Sequence, residues 1–303
     1  MAKMSTIKNS VKKIHHLDSE VSLKSYHSKH IDRQIRLINE FLDYQKENYK
    51  QEGFLICLSG GVDSATLLKL VVDQYGPDGV VCLITFLDDF NSEKDIGDAK
   101  ELCKKLGVSY FFVNITKPVD AMLETIPYFK TRPLDNVATR IRVSVAAAYA
   151  EKFNLRLLYA GPLYEYVISG NSLGTDIAHC YPLSGVYKSE IYAIADKIGL
   201  PRKFLTKVPS NSAEKGRVDK SKMFDIPFSK IEKVVAYHRG DLKREDLTID
   251  DDTMIFLDFL MKYNERDVEF RALCVQFDLY SEDRIKFLRE FKRYPFEGKN
   301  ERN

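Results

Sequence analysis

The chain has 303 residues, 46 Lys and Arg against 44 Asp and Glu, a formal net charge of +2, and 44% hydrophobic residues. This allows one large domain or two small ones with a substantial buried core, and the charge is too mild to argue by itself for a nucleic-acid partner. No apolar run approaches the ~20 residues that a membrane helix requires, and the N-terminus lacks the apolar centre of a secretion signal. The five cysteines, Cys57, Cys82, Cys103, Cys180 and Cys274, show no metal or redox spacing, which predicts a reduced, cytoplasmic protein away from any membrane.

Residues 1–25 are rich in Lys, Ser and His and are predicted to form a mobile arm. A first helix carries Ile31, Ile35, Leu37, Ile38, Phe41 and Leu42 on a broad apolar stripe. Phe54 to Leu58 then reads as a buried strand, and Ser64 is expected to open a helix with Leu67, Leu68, Val71 and Val72 facing the core. Val80 to Phe86 is a second strand. A helix from about Ser92 places Ile96, Ala99, Cys103 and Leu106 on one face and stops at Gly107, before a third strand from Tyr110 to Ile115.

A short helix around Ala121 to Thr125 and a long one from about Asn136 to Phe153 precede a fourth strand, Arg156 to Ala160, which closes at Gly161. Ser189 to Ile198 is helical, Lys207 to Asp225 reads as a polar loop over the site, and the remainder is helical and charged. The pattern predicts an α/β fold, a doubly wound and mostly parallel sheet with helices on both faces. The organisation expected is an arm at 1–25, the α/β domain at 26–245 and a helical C-terminal extension at 246–303. Ligands of such sheets bind beyond the carboxyl ends of the strands, where the turn after the first strand, Phe86 to Asp89, and Gly161 onward all fall.

That first turn, Ser59-Gly60-Gly61-Val62-Asp63-Ser64, holds most of the chemistry. Two glycines let backbone N–H groups approach an anion closely, and the following helix start adds its orphan donors and the positive end of its dipole. Asp63 beside bound phosphates calls for a divalent cation between the two, which suggests Mg²⁺. The Walker loop and the dinucleotide fingerprint are excluded by spacing.

The hexapeptide resembles the pyrophosphate loop of the N-type ATP pyrophosphatases, which cleave ATP between its α- and β-phosphates and adenylate a substrate oxygen. Within that superfamily the chain is similar to the ammonia-dependent NAD synthetases. The helix at Ser92 to Leu106, the run Asp135-Asn136 to Arg142, Pro182-Leu183 with Val186-Tyr187-Lys188, and Pro209-Ser210 onward correspond to motifs of that family. The similarity spans roughly residues 30 to 240.

The resemblance implies that Ser59, Gly60, Gly61, Asp63 and Ser64 bind ATP phosphates. It also implies that Asp63 and Glu165 hold Mg²⁺, and that Lys188 holds an ATP oxygen. Ser210 would add a hydroxyl near the metal or phosphates, and Phe86, with Ile84 and Leu87, would pack the adenine. Arg140 would meet a phosphate or carboxylate, since an arginine in a helix of Val, Ile and Ala needs an anion or a full set of acceptors. A salt bridge to a protein acid for Arg140 or Arg142, a solvated helix-start lysine for Lys188, a plain Pro-Ser turn for Ser210, and simple core for Phe86, Ile84 and Leu87 remain open.

The sequence departs from the family after the fourth strand. Gly161-Pro162-Leu163-Tyr164-Glu165 replaces a Gly-Thr and a polar residue, the spacing to the glutamate is shorter, and a Thr-Lys-x-Gly-Asp loop contacting the nicotinate half is missing. Asp176 is the candidate for a substrate-contacting acid in its place. The expected activity is therefore an AMP-forming amide ligase, using ATP and Mg²⁺ on a small-molecule acid and ammonia or an amine, with altered acid specificity. The alternatives are a true NAD synthetase acting on deamido-NAD, and a nucleic-acid-modifying or non-catalytic ATP-binding relative. By resemblance a homodimer is expected.

Overall fold

Four parallel strands form the central sheet. The computed structural model describes residues 28–88, 92–125, 133–169, 174–207, 222–223, 226–238, 242–247, 249–258 and 261. The predicted arm at 1–25, Ser210, Cys274 and most of the predicted loop from Lys207 to Asp225 lie outside these. The elements are α1 (Ser28–Asn48), β1 (Gly53–Cys57), α2 (Val62–Tyr75), β2 (Val80–Phe86), α3 (Glu93–Leu106), β3 (Tyr110–Asn114), α4 (Thr116–Thr125) and α5 (Pro133–Lys152). They continue as β4 (Leu155–Leu158), α6 (Lys188–Lys197), α7 (Arg202–Leu205), the short antiparallel pair β5 (Lys222–Met223) and β6 (Ile226–Pro227), and α8 (Phe228–His238). Residues 251–258 are helical as well.

β1 lies between β2 and β4, so it is buried on both faces, and its unbroken apolar run follows from that position. Phe54 and Ile56 point into a core shared with α1, α2, α3, α6 and α7. Leu55 points the other way and packs with Leu83, Leu155 and Leu157 against Ala146 and Ala150 of α5. The sheet is thus covered on both faces, as the alternation of strands and helices predicts. After β1 the chain builds outward through β2 and β3 and then returns to β4 on the opposite side of β1. This reversal opens a crevice at the carboxyl ends of β1 and β4.

Helix starts show where the sequence reading needs correction. α2 begins at Val62, two residues before Ser64, because extended Gly61 takes the position preceding the first turn. Asp63 and Ser64 therefore both sit inside that turn. α4 begins at Thr116, earlier than Ala121, since the Asn114 side-chain oxygen accepts from the Thr116 N–H at 2.8 Å and a proline, here Pro118, is tolerated in a first turn. α5 likewise starts at Pro133. α3 follows the prediction: the Ser92 hydroxyl accepts from the Asp95 N–H at 3.3 Å, and left-handed Gly107 ends the helix.

β4 stops at Leu158, short of the predicted Ala160, because its pairing passes to a later segment. Leu158 bridges Cys180 in parallel, and the Tyr159 N–H donates to the Cys180 carbonyl at 3.0 Å. Residues 165–169 form a turn of π-helix that the sequence pattern does not announce. Ile231, Val234 and Val235 of α8 pack with Leu247, Ile249, Met254 and Leu257 into a second core, which Leu163 and Tyr187 join to the sheet domain.

Candidate active site

The turn after β1 is held by its own hydroxyls. Ser59 Oγ and Ser64 Oγ are 3.1 Å apart, the Gly61 N–H donates to Ser59 Oγ at 3.3 Å, and Ser64 Oγ donates to the Gly61 carbonyl at 3.4 Å. Gly60 has φ +79°, and a Cβ there would lie 2.3 Å from the Asp95 carbonyl oxygen. Glycine is required on both counts. No side chain caps the start of α2, so its first N–H groups are left as the orphan donors that suit an anion.

Lys188 comes to this turn from 125 residues away. Its ammonium is 2.5 Å from each Asp63 carboxylate oxygen, and the residue is 6% exposed. Burial alone would lower the Lys188 pKa, but the charge of Asp63, with help from Tyr192 and Glu165, carries it upward, so the group stays protonated. Two carboxylates fix the start of α6: Glu190 accepts from the Tyr187 N–H at 2.8 Å, and Glu232 of α8 accepts from the Ser189 N–H at 3.0 Å. Between them they satisfy orphan donors on both sides of Lys188 and orient it.

Glu165 approaches from the end of β4. The Tyr159 and Tyr164 hydroxyls donate to its two oxygens at 3.3 and 3.4 Å. Burial first, then the charges of Glu165 and Asp63, push the Tyr164 hydroxyl far above its ordinary range. Asp63 and Glu165 both act electrostatically on Lys188 and on Tyr164, so they share one neighbourhood. Two carboxylates are hard oxygen donors of the kind Mg²⁺ accepts when phosphates and waters complete its shell, so the residues fit that ion. Among the described residues no three His, Cys, Asp or Glu side chains cluster as a metal site.

Arg140 of α5 packs over Gly174, with Cγ and Nε each 3.9 Å from where a Cβ would stand, and so borders the segment that carries buried Asp176. Ile84 and Leu87 are core residues, whereas half-buried Phe86 stacks on Phe112 at 4.3 Å. The described cysteines are free thiols, and burial pushes Cys180 up to about 12 against the pull of Arg156.

Two groups escaped the sequence reading. Tyr159, Tyr166 and Tyr181 form an aromatic triad with ring centroids 5.7 to 6.2 Å apart, beside Glu165 and Asp176. Tyrosine enrichment between Tyr159 and Tyr181 was the available signal. Lys207, read as the start of a loop, instead reaches the Gly60 carbonyl.

A glycine- and hydroxyl-rich turn at a topological switch point, with a lysine paired to its aspartate, agrees with the result of comparison with known proteins. Residues 34–264 match the NAD synthase family. The chain belongs to that family. It is accordingly an ATP-using, AMP-forming carbon–nitrogen ligase. The NH(3)-dependent NAD(+) synthetase of Aeropyrum pernix is 31% identical over 212 residues, 68% of this chain and 73% of that protein. The enzyme of the same name from Methanocaldococcus jannaschii is 28% identical over 241 residues, 76% and 92% of the two. Among solved structures, the NH3-dependent NAD synthetase of Campylobacter jejuni superposes with a TM-score of 0.65 at 24% identity, covering 78% of this chain and 95% of that one. The NMN synthetase of Francisella tularensis gives 0.69 at 23%, with the same coverage. These structures share the α/β fold predicted from the sequence.

Proposed function

We propose that this NAD synthase family member amidates the carboxylate of a nicotinate nucleotide, deamido-NAD in the first instance, with free ammonia. The carrying observation is the Lys188 ammonium seated on Asp63 inside the first turn of α2, beside the paired Ser59 and Ser64 hydroxyls. The β- and γ-phosphates of ATP lie on the N–H groups of Gly61 and the start of α2, with Ser59 and Ser64 hydroxyls as further donors. Lys188 passes from Asp63 to the phosphate oxygens as ATP enters.

A carboxylate oxygen of the substrate then attacks the α-phosphorus in line, the α–β bridging bond breaks, and pyrophosphate leaves onto the same donors. A Mg²⁺ ion held by Asp63 and Glu165 would neutralise phosphate charge in the bound state. Ammonia adds to the acyl carbon of the adenylate and gives up a proton to solvent, and AMP departs with the electron pair of the broken C–O bond. Arg140 and Asp176 border the acid, and the tyrosine triad offers ring faces and edges to an aromatic acid. Ser210 is proposed as a further phosphate contact. The relatives' names supply ammonia and the NAD product as the guide to substrate, and a cytoplasmic homodimer is proposed with them. No helix among the described residues is long and apolar enough to cross a membrane.

A second reading, a different small acid, is favoured by one observation. Pro162 and Leu163 are both buried, and Leu163 packs into the C-terminal core instead of lining a polar site. Isotope exchange of pyrophosphate into ATP, driven in turn by deamido-NAD, nicotinate mononucleotide and other acids, separates the readings. Exchange with deamido-NAD supports the first, exchange with another acid alone supports the second, and exchange with none refutes both.

A further inference from the structure

Lys207 follows α7 and is 147 residues from the phosphate turn in sequence, yet its ammonium sits 2.8 Å from the Gly60 carbonyl oxygen. The same ammonium is 2.7 Å from Asp95 Oδ1 and 2.6 Å from Asp98 Oδ2, both on the first two turns of α3. Three oxygens thus surround a group with three protons. The side chains are well enclosed, at 11% exposure for Lys207, 8% for Asp95 and 10% for Asp98. A second lysine, Lys203, binds Asp98 at 2.9 Å and Glu101 at 2.8 Å, so two lysines serve three acids of α3. Burial would raise the Asp98 carboxyl, but Lys207 and Lys203 together hold it below its ordinary value.

The carbonyl that Lys207 grips belongs to the peptide between two glycines. In a trans peptide the C=O and N–H point in opposite directions, so fixing one fixes the other. With Gly60 O turned toward enclosed Lys207, the Gly61 N–H points the other way, to the exposed side of the turn, where it meets Ser59 Oγ. Flanked by two residues that lack a Cβ, this peptide has little steric resistance to flipping. A flip would present a carbonyl oxygen to the anion in place of a donor, reversing the sign of the local dipole.

We propose that Lys207 is a positioning residue of the phosphate turn, locking the Gly60–Gly61 peptide in the orientation that offers the Gly61 N–H to the diphosphate of ATP. The inference rests on the reading that this turn binds that diphosphate. It gives Lys207 no direct contact with phosphate, since its ammonium is already engaged by the Gly60 carbonyl and by the Asp95 and Asp98 carboxylates.

The test uses the full chain and titrates inorganic pyrophosphate and ATP, with Mg²⁺ present, into the wild type, Lys207→Met and the Asp95→Asn/Asp98→Asn double variant, alongside steady-state kinetics. Lys207→Met is expected to weaken pyrophosphate binding and raise the KM for ATP about tenfold, the scale of one lost hydrogen bond to an anion, with kcat changed about threefold or less. The double variant, which leaves Lys207 intact but unanchored, is expected to shift both quantities in the same direction by about threefold, and it keeps the test alive if Lys207→Met does not fold. Tighter pyrophosphate binding in the double variant would mean that Lys207 is a phosphate ligand and overturn the proposal. Wild-type affinity in Lys207→Met, whatever its melting temperature, would overturn it as well. A wild type that binds neither pyrophosphate nor ATP would instead remove the underlying reading of the turn, and this inference with it.

Discussion

The two sides of the crevice between β1 and β4 are built in opposite ways. At the end of β1, six consecutive residues form a turn of backbone N–H groups, two glycines and small hydroxyls, and distant residues serve to brace it. At the end of β4, the proposed acid-binding side is made of large side chains, Tyr159, Glu165, Tyr166 and Tyr181, drawn from separated segments. On the proposed function the first side takes phosphate, which is the same in every ATP, so a fixed backbone cradle suffices. An acid substrate is distinguished by shape and hydrogen bonding, which only side chains can vary.

The sharpest way to break this contrast is at Asp63. Asp63→Asn is expected to cut ATP–pyrophosphate exchange by about 100-fold or more while circular dichroism still reports the native fold. It removes one charge of a buried pair and leaves Lys188 poorly compensated. Near-wild-type exchange would take Asp63 out of the nucleotide site and dissolve the division of labour.

A smaller effect is expected on the other side. Tyr181→Leu removes one member of the triad and the hydroxyl that accepts from the Ala178 N–H at 2.9 Å. The KM for the acid is expected to rise about tenfold with the KM for ATP unchanged. Equal rises in both would show that the two sides do not work separately.

The smallest effect concerns stability, at the brace behind Lys188. Burial first, against hydrogen bonds from Ser189, lifts the Glu232 carboxyl from 4.5 to about 7. The sign follows from linkage: between these values the folded state holds a proton that the unfolded state has released. Stability is therefore lost as pH rises from 4.5 to 7, and the cost is fully present above 7. Glu232→Gln keeps an acceptor for Ser189 without the charge. It is expected to raise stability by on the order of 1–2 kcal/mol at pH 8, partial solvent access trimming the full shift, and by nothing at pH 4. Denaturant melts at the two pH values check this, and a pH-independent difference would refute it.

Much of the fold was legible because the sheet is buried on both faces, which makes β1 and β2 near-continuous apolar runs, and because Ser92 and Gly107 punctuate α3 with standard capping chemistry. The turn after β1 was legible as a strand–turn–helix junction because its residues are contiguous. Lys207 was not, because a lysine near a Pro-Ser dipeptide looks solvated until the fold closes it against Asp95 and Asp98. The tyrosine triad was missed because its rings meet only once the segment carrying Tyr181 runs alongside β4. The early starts of α4 and α5 were hidden by prolines that interrupt the apolar pattern but are permitted in a first turn.

The bridge between Leu158 and Cys180 means that the chain leaves the sheet after β4 and rejoins it at the same strand. Residues 159–179 are thereby spliced in as a cassette with both ends stapled to one β-strand. Rewriting such an insert while keeping Glu165, the proposed metal carboxylate that it carries, is the way to redirect the enzyme toward new acids.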